Sequence, residues 1–295
     1  MSNVYIIGVG MTRFGKFIES SVKELAAEAF ENALKDAGVE SKELEAAYVS
    51  NSFWGMFSEQ HSIRGQVMLH PLGIKEIPIV NTENACAGAS TALNLAYTAI
   101  KAGQFDLVLA LGAEKISHTD KMLSFRSYAS CLDVEEFPNK IGELMQQVEK
   151  MPLEIPEEAE SSGGRSIFMD IYALGARWHM SRYGSTQRQM AVISSKNHEH
   201  GALNPYAQIR KKMSVEEILQ DKTVAYPFTR AMCSPVGDGA AAAVICSERF
   251  INRLSKARAV KILASVLGTG RERPLEEDHI GKIVSQKAYE AASLG

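Results

Sequence analysis

The sequence has few of the features that mark disulfide-bonded, metal-binding or membrane proteins. It contains only four cysteines in 295 residues, widely spaced and without a CxxC pair, so neither a disulfide framework nor a zinc site is indicated. No stretch approaches the roughly 20 consecutive apolar residues of a transmembrane helix. The first residues lack the basic start and apolar core of a signal peptide, and the last three are not a peroxisomal tripeptide. We therefore expect a cytoplasmic protein with no membrane partner.

The chain also has no large excess of positive or negative charge. The chain has 32 basic and 35 acidic residues, for a formal charge of −3, which argues against a general nucleic-acid surface. We therefore expect no nucleic-acid partner. The hydrophobic share of 45% over this length is enough for one large domain or two of ordinary size.

The first part of the chain has the pattern of a layered α/β domain. An almost wholly apolar run over residues 4–10 is typical of a strand that is buried on both faces. Residues 21–39 place apolar side chains on one helical face and end at Gly38, a typical helix C-cap. A second strand at 46–50 completes a parallel crossover unit. The pattern then repeats, with a strand, a helix and a strand at 77–80, 87–102 and 107–112.

The middle and the end of the chain suggest an insertion followed by a partial repeat. Residues 115–224 are mixed, Met-rich and charged, with helical patterns at 168–182 and 187–198 and an exposed connection at 152–164. The run GDGAAAAVI at 237–245 predicts a strand that closes the first sheet. Residues 260–269, followed by IGKIVSQKAYEAASLG, resemble the opening strand and helix. The chain therefore reads as one complete repeat and the first βα unit of another.

Cys86 occupies a position that favours a reactive thiol. It follows a short apolar run and precedes Ala87, Gly88, Ala89 and Ser90, at the predicted start of a helix. Unpaired N–H groups and the helix dipole favour negative charge there. The small residues let a substrate approach the sulfur, and sites in α/β sheets gather at the carboxyl ends of strands. The alternative is that Cys86 is a buried small hydrophobic residue.

The other three cysteines have no such setting. Cys246 lies inside the apolar strand and is expected to pack in the core. Cys233 lies in a turn, and Cys131 has no organised neighbours. We assign none of the three a role.

Several segments carry a resemblance to a known family. ENACAGAS resembles the nucleophile motif of the thiolase superfamily. The segments AVISSKNHEHGALNPYAQ and CSPVGDGAAAAVICSERF resemble the corresponding parts of the sterol-carrier-protein type of thiolase, and VYIIGVGMTRFGKF is similar to the opening strand of that branch. The resemblance covers nearly the whole chain, and its motifs occur in the family's order at compatible distances.

The resemblance implies an α/β, thiolase-like layered fold with one complete βαβ-type half, an inserted loop domain and the start of a second half. On this layout, residues 1–114 are the first part of the N-terminal half and 115–225 are the inserted domain. Residues 226–257 form the closing strand and 258–295 begin the C-terminal half.

The resemblance also implies a reaction. In such enzymes a 3-oxoacyl thioester acylates a cysteine, and the acyl group then passes to coenzyme A, or the reverse condensation runs. Carried onto this sequence, Cys86 is the acylated cysteine. An acyl-CoA thioester is then the substrate and coenzyme A a co-substrate, with no bound cofactor and no metal.

The catalytic groups that the family takes from its second half have no match in the sequence. The only His-Pro dipeptide, His70-Pro71, comes too early and lacks the following small residues. Since a nucleophile and its base act as a unit, we expect little activity without a second half or partner. His198 and His200 are expected to be solvated or capping residues, and they are too close in sequence to form a zinc motif.

Partners follow from the same resemblance. We expect a homodimer in which the strand at 77–80 pairs across a two-fold axis, with an additional subunit as an open alternative. Eight basic residues of the inserted region are candidates to contact the phosphates of coenzyme A: Arg165, Arg177, Arg182, Arg188, Lys196, Arg210, Lys211 and Lys212. The sequence does not select among them, so the residues that bind coenzyme A stay unassigned.

Three functional hypotheses remain open at this point. The first is a thiolase-type acyltransferase that acts through Cys86. The second is an aldolase-like lyase that cleaves a β-hydroxyacyl thioester, for which an acyl-cysteine is unnecessary. The third is a non-catalytic or partner-dependent subunit, which the short second repeat favours.

Overall fold

The computed structural model describes residues 3–136, 165–254, 258–271 and 276–294, together with residues 139, 140, 142, 143, 146, 156, 273 and 274. The predicted connection at 152–164 lies outside these residues, except for Pro156. The chain forms two compact units. One comprises Met1–Ile116 and Gly237–Gly295, and the other comprises Ser117–Val236. The assignment of residues 1–114, 115–225, 226–257 and 258–295 to the parts of a thiolase stays a prediction.

The strands are numbered along the chain. They are β1 (Val4–Met11), β2 (Ala46–Ser50), β3 (Ile79–Thr82), β4 (Leu107–Glu114), β5 (Thr223–Ala225), β6 (Phe228–Thr229), β7 (Gly239–Ser247) and β8 (Val260–Lys261).

The helices of the described residues are numbered in the same way. They are α1 (Val22–Ala37), α2 (Trp54–Ser58), α3 (Arg64–Leu69), α4 (Gly88–Lys101), α5 (Lys121–Ala129), α6 (Ile167–Tyr183), α7 (Gln187–Leu203), α8 (Val215–Leu219), α9 (Glu248–Ile251) and α10 (Ile280–Ala292).

The first unit is built on one mixed sheet of six strands, in the order β3-β2-β4-β7-β1-β8. Strand β2 pairs in parallel with both β3 and β4, whereas β7 runs antiparallel between β4 and β1. Strands β1 and β2 therefore point the same way, as the predicted crossover requires, with β4 and β7 between them. The α/β fold class is confirmed.

Helix α1 begins and ends where its sequence signals predict. The Ser21 hydroxyl accepts from the Glu24 amide at 3.2 Å, and the Glu24 carboxylate accepts from the Ser21 amide at 2.7 Å. This capping box satisfies two of the free N–H groups of the first turn. At the other end, Gly38 adopts the left-handed conformation that stops the helix, with φ of 68°.

Alternate residues of β4 face opposite sides of the sheet, as the period of a strand requires. Leu107, Leu109 and Leu111 pack in the core that contains α1. Val108 and Ala110 pack in the second core, which contains the buried face of α4. The sheet is thus covered by helices on both faces, and this layering holds α4 and the turn before it against the sheet.

Four sequence expectations need correction. The strand predicted at 237–245 to close the sheet is β7, Gly239–Ser247, and it lies inside the sheet between β4 and β1. The strand predicted at 77–80 is β3, Ile79–Thr82, because its register is set by pairing with Ala47 to Ser50 of β2. The helix predicted at 87–102 is α4, Gly88–Lys101, preceded by a 3₁₀ turn. The strand predicted at 260–269 is wrong beyond Lys261. Only Val260 and Lys261 pair with β1, and within the described residues no strand extends that ladder.

The second unit contains α5 to α8 and the short antiparallel pair of β5 and β6. Its helices have polar caps that the sequence supplies locally. Thr186 forms a capping box with Gln189 at the start of α7, and Ser214 forms one with Glu217 at the start of α8.

None of the helices that the structure describes is long and apolar enough to cross a bilayer. Across the same residues, no three His, Cys, Asp or Glu side chains are grouped so that they could hold a metal ion.

Candidate active site

Cys86 lies in a tight turn at the carboxyl edge of the parallel strands. Strand β3 ends at Thr82, a single 3₁₀ turn spans Ala85–Ala87, and the 14-residue helix α4 follows at once. The thiol is exposed. It therefore precedes the amino end of a long helix, where unpaired N–H groups favour negative charge.

Local hydrogen bonds fix the shape of this turn. Ala85 has a positive φ of 43°, a conformation that costs energy for a residue with a Cβ. Its amide donates to the Glu83 carboxylate at 2.6 Å. The Asn84 side-chain amide donates to the Thr91 hydroxyl at 2.9 Å, and that hydroxyl donates to the Ala87 carbonyl at 2.9 Å. These bonds connect the residues on both sides of Cys86 to α4.

The first turn of α4 lies unusually close to the sheet. A Cβ placed on Gly88 would lie 2.1 Å from the Ser50 hydroxyl on β2. Only glycine allows this approach. The opposite side of the same turn is open, because Cys86, Ala87, Ala89 and Ser90 are all exposed. Their small side chains leave room for a substrate beside the sulfur.

A second carboxylate lies at the end of β4, which is separated from β3 by β2. Glu114 is the last residue of β4, and its oxygens accept from the amides of Ser52 at 2.8 Å and Phe53 at 3.3 Å. The Asn51 side-chain amide donates to it at 2.9 Å. Burial raises the pKa of Glu114, whereas the hydrogen bonds from these backbone amides and the charge of Arg64 act in the opposite direction.

Sequence reasoning missed Glu114. The available signal was a carboxylate at the end of a continuous apolar strand that runs parallel to the strand before Cys86. Since the carboxyl ends of parallel strands meet at one edge of a sheet, that position alone placed Glu114 near the turn.

The remaining cysteines differ from Cys86. Cys246 is fully buried in β7, as expected for core packing, and burial together with the charge of Asp106 raises its pKa to about 12. Burial, and to a lesser extent the charge of Asp221, also raises the pKa of Cys233. Cys131 is partly buried. Among the four, Cys86 alone is exposed.

The two histidines singled out in the sequence lie in the second unit. His200 is exposed, but the expectation of a solvated or capping role is wrong for His198. Its Nδ1 lies 3.1 Å from the Lys211 carbonyl oxygen and its Nε2 lies 3.0 Å from that of Ala231. The partly buried ring therefore bridges two backbone segments and acts as a structural link.

The basic candidates for phosphate contact divide into two groups. Arg165 pairs with Asp170 at 2.6 Å, Arg188 pairs with Glu216 at 2.8 Å, and Arg177 donates to the Tyr226 carbonyl at 2.8 Å. Burial lowers the pKa of Arg177. The other five are exposed, as Arg188 is too, and one of them, Lys212, lies 3.9 Å from the Glu199 carboxylate: Arg182, Lys196, Arg210, Lys211 and Lys212.

Comparison with known proteins agrees with the sequence motifs. The family model for the thiolase N-terminal domain matches residues 4–249. Sterol carrier protein 2 of Gallus gallus is 34% identical over 99% of this chain and 51% of its own length. An acetyl-CoA acetyltransferase of Methanothermobacter thermautotrophicus is 35% identical over 83% of this chain and 57% of its own length. The chain thus spans about half the length of these curated relatives.

A solved structure described as the Ltp2-ChsH2(DUF35) aldolase superposes with a TM-score of 0.73 and 19% identity, over 99% of this chain and 70% of that one. This likeness concerns the fold. Taken with the family model, which covers most of the chain, it identifies the architecture around Cys86 as that of a known superfamily. The chain belongs to the thiolase family.

Proposed function

We propose that this chain carries the nucleophile of a thiolase-type acyl-CoA C-acyltransferase and that Cys86 is the residue that becomes acylated. The supporting observation is the exposure of Cys86 in a turn that leads directly into α4, with the small residues Ala85, Ala87, Gly88 and Ala89 next to it in sequence. Family membership supplies the substrate class, an acyl-CoA thioester.

The proposed reaction has two steps. The Cys86 thiolate attacks the 3-oxo carbon of a 3-oxoacyl-CoA, the bond between that carbon and the α-carbon breaks, and the α-carbon takes a proton as acetyl-CoA, or its α-substituted form, leaves. The thiolate of coenzyme A then attacks the acyl carbon, and the bond to the Cys86 sulfur breaks. Run backwards, the same steps form a carbon–carbon bond.

Full activity is proposed to need groups beyond this chain. The Gly-His-Pro motif that the resemblance calls for does not occur in the sequence. A nucleophile without its base loses most of the acceleration, on the order of 10⁴-fold or more in well-studied cases. We therefore propose that a second half or a partner supplies the base, and that the chain alone is acylated slowly and turns over poorly.

An aldolase-like lyase is the second candidate, and the observation that favours it is the fold likeness to the Ltp2-ChsH2(DUF35) aldolase. A retro-aldol cleavage forms no acyl-cysteine, so the two candidates predict different products on the protein. A purely structural subunit is the third candidate.

The proposal extends to the dimer, to the nucleotide contacts and to the location. Strand β3 forms an edge of the sheet, with Val80 38% exposed. Pairing of two such edges would satisfy their free backbone groups. One or two of the exposed basic residues of the second unit are proposed to contact the phosphates of coenzyme A. The cytoplasmic location stays a prediction.

The test is intact-mass analysis after incubation with acetoacetyl-CoA. We expect the mass of the chain to rise by one acetyl group and to return to its starting value when coenzyme A is added. Cys86→Ala should abolish this change, whereas the matched variant Cys233→Ala should retain it. An unmodified chain, or equal modification of Cys86→Ala, would refute the acyl-cysteine. Rapid multiple turnover by the chain alone would refute the need for a partner.

A further inference from the structure

A chain of hydrogen bonds leads from Glu114 to the turn that holds Cys86. The first link joins the end of β4 to the loop after β2. One Glu114 oxygen accepts from the Ser52 amide at 2.8 Å, and the other accepts from the Asn51 side chain at 2.9 Å. These bonds hold residues 51–53 at a fixed position relative to β4.

The second link joins that loop to the turn. The Ser52 hydroxyl lies 3.1 Å from the Glu83 carboxylate and 3.4 Å from the Ala85 carbonyl, and its single hydrogen can donate to either. The same Glu83 oxygen accepts from the Ala85 amide at 2.6 Å. Ala85 is the residue with positive φ directly before Cys86, so this bond acts where the backbone is strained.

Arg64 forms further hydrogen bonds to the loop after β2. Its guanidinium donates to the Asn51 side-chain oxygen at 3.3 Å and to the Ser52 carbonyl at 3.1 Å. The amide groups of the loop thus donate hydrogen bonds to the Glu114 carboxylate, and its oxygens accept hydrogen bonds from the Arg64 guanidinium. A partly buried carboxylate is costly unless its oxygens are hydrogen-bonded, and here both are.

We propose that Glu114 is a positioning residue that holds the Cys86 turn in place through Ser52 and Glu83. The chemical part of this role rests on the proposed function, but the mechanical part does not. Glutamine cannot replace Glu114, since it offers one acceptor oxygen and would turn an NH₂ group toward a backbone N–H or the Asn51 amide.

The test compares two variants at the ends of one strand. Asp106 directly precedes β4 and, like Glu114, has a side-chain hydrogen-bond network in the first unit. It lies eight residues from Glu114, roughly 27 Å along the strand. Glu114→Gln and Asp106→Asn therefore both remove a carboxylate charge from the same unit, one at the end of β4 that is linked to the Cys86 turn and one at the opposite end.

Two quantities are measured on the full chain: amide hydrogen exchange in a peptide that covers residues 83–88, and the rate of Cys86 acylation by acetoacetyl-CoA. For Glu114→Gln we expect exchange about tenfold faster and acylation about tenfold slower, the usual scale for losing a charge-assisted hydrogen bond. For Asp106→Asn we expect neither to change, although its melting temperature should fall.

Ser52→Ala provides a second route, because it removes only the linking hydroxyl and leaves Glu114 in place. It should also speed exchange at 83–88, even if Glu114→Gln fails to fold. Unchanged exchange in both Ser52→Ala and any folded Glu114→Gln would overturn the proposal, as would an equal rise in Asp106→Asn. Faster exchange in a protein whose wild-type form is never acylated would support the positioning role and refute the acyl-cysteine.

Discussion

Strand β4 has a carboxylate at each end, and the surroundings of the two carboxylates differ in kind. The carboxylate of Asp106, just before the strand, accepts hydrogen bonds from the guanidinium of Arg249 and the hydroxyl of Ser247. The carboxylate of Glu114, at the other end, accepts hydrogen bonds from backbone amides and from the side-chain amide of Asn51. One end therefore has a direct ion pair, and the other has a carboxylate that is held mainly by neutral donors.

The pKa shifts reflect this difference. The hydrogen bond from Arg249 is the largest of several causes that lower the pKa of Asp106. Burial raises the pKa of Glu114 despite its donors. A network that favours the charged form contributes stability at neutral pH, whereas a group whose charged form is disfavoured costs stability there. Groups with shifted pKa values occur in the core, as at Cys246, as well as at functional sites. What distinguishes Glu114 is its link through Ser52 and Glu83 to the Cys86 turn.

The largest expected effect on the free energy of unfolding comes from the close packing of the first turn of α4, next to Cys86. Gly88→Ala would place a Cβ 2.1 Å from the Ser50 hydroxyl, so either the buried Ser50 side chain or the first turn of α4 must move. We expect the free energy of unfolding to fall by about 2 kcal/mol, in the range for overpacked sites. Urea unfolding measures it. Ser90→Ala, on the exposed side of the same turn, is the control and should change it by less than about 0.5 kcal/mol. Equal values for the two variants would contradict the close packing.

A smaller effect on the free energy of unfolding is expected from pH. Its sign differs between the carboxylates at the two ends of β4. Asp106 has a lowered pKa in the folded chain, so its contribution is present above its ordinary value of 3.8 and is lost as pH falls through the folded value. Glu114 has a raised pKa. Its own contribution to the free energy of unfolding is therefore greatest below its ordinary pKa of 4.5 and declines as pH rises through the folded value.

The measurement is the free energy of unfolding against pH for the wild type, Asp106→Asn and Glu114→Gln. Subtracting each variant from the wild type should give a difference that rises with pH for Asp106 and falls with pH for Glu114. If both differences have the same sign of slope, the contrast between the two ends of β4 is wrong.

The smallest effect on folding is expected at the sheet edge. Val80→Lys places a charge on β3, a change that natural edges use to prevent pairing. We expect the wild-type chain to dimerise at micromolar concentration and the variant to be monomeric, with unfolding changed by less than about 0.5 kcal/mol. Sedimentation velocity distinguishes the species. A monomeric wild type would remove the dimer from the proposal.

The sequence predicted the elements whose formation depends on local pattern. The apolar runs of β1, β2 and β4 and the capped amphipathic helix α1 were correctly located, and Cys86 was placed at the start of a helix. The error at residues 262–269 has a physical reason, because an apolar run forms a strand only where a partner strand offers hydrogen bonds.

The network around Glu114 could not be predicted in this way. It joins two loops, at residues 51–53 and 83–85, to the last residue of β4, and these parts of the chain meet only because β2, β3 and β4 pair in parallel. Neither periodicity nor a motif encodes such a meeting. The positions of strand ends were predictable, but the side-chain bonds between them were not.

The central claim is that the turn before α4 makes Cys86 the acyl acceptor, and peptide-level mass spectrometry of the wild-type chain after exposure to acetoacetyl-CoA tests it most directly. The account predicts that the acetyl group is found on the peptide that contains Cys86, with Cys131 and Cys233 unmodified. Acetylation shared among the three, or found on none of them, would contradict it.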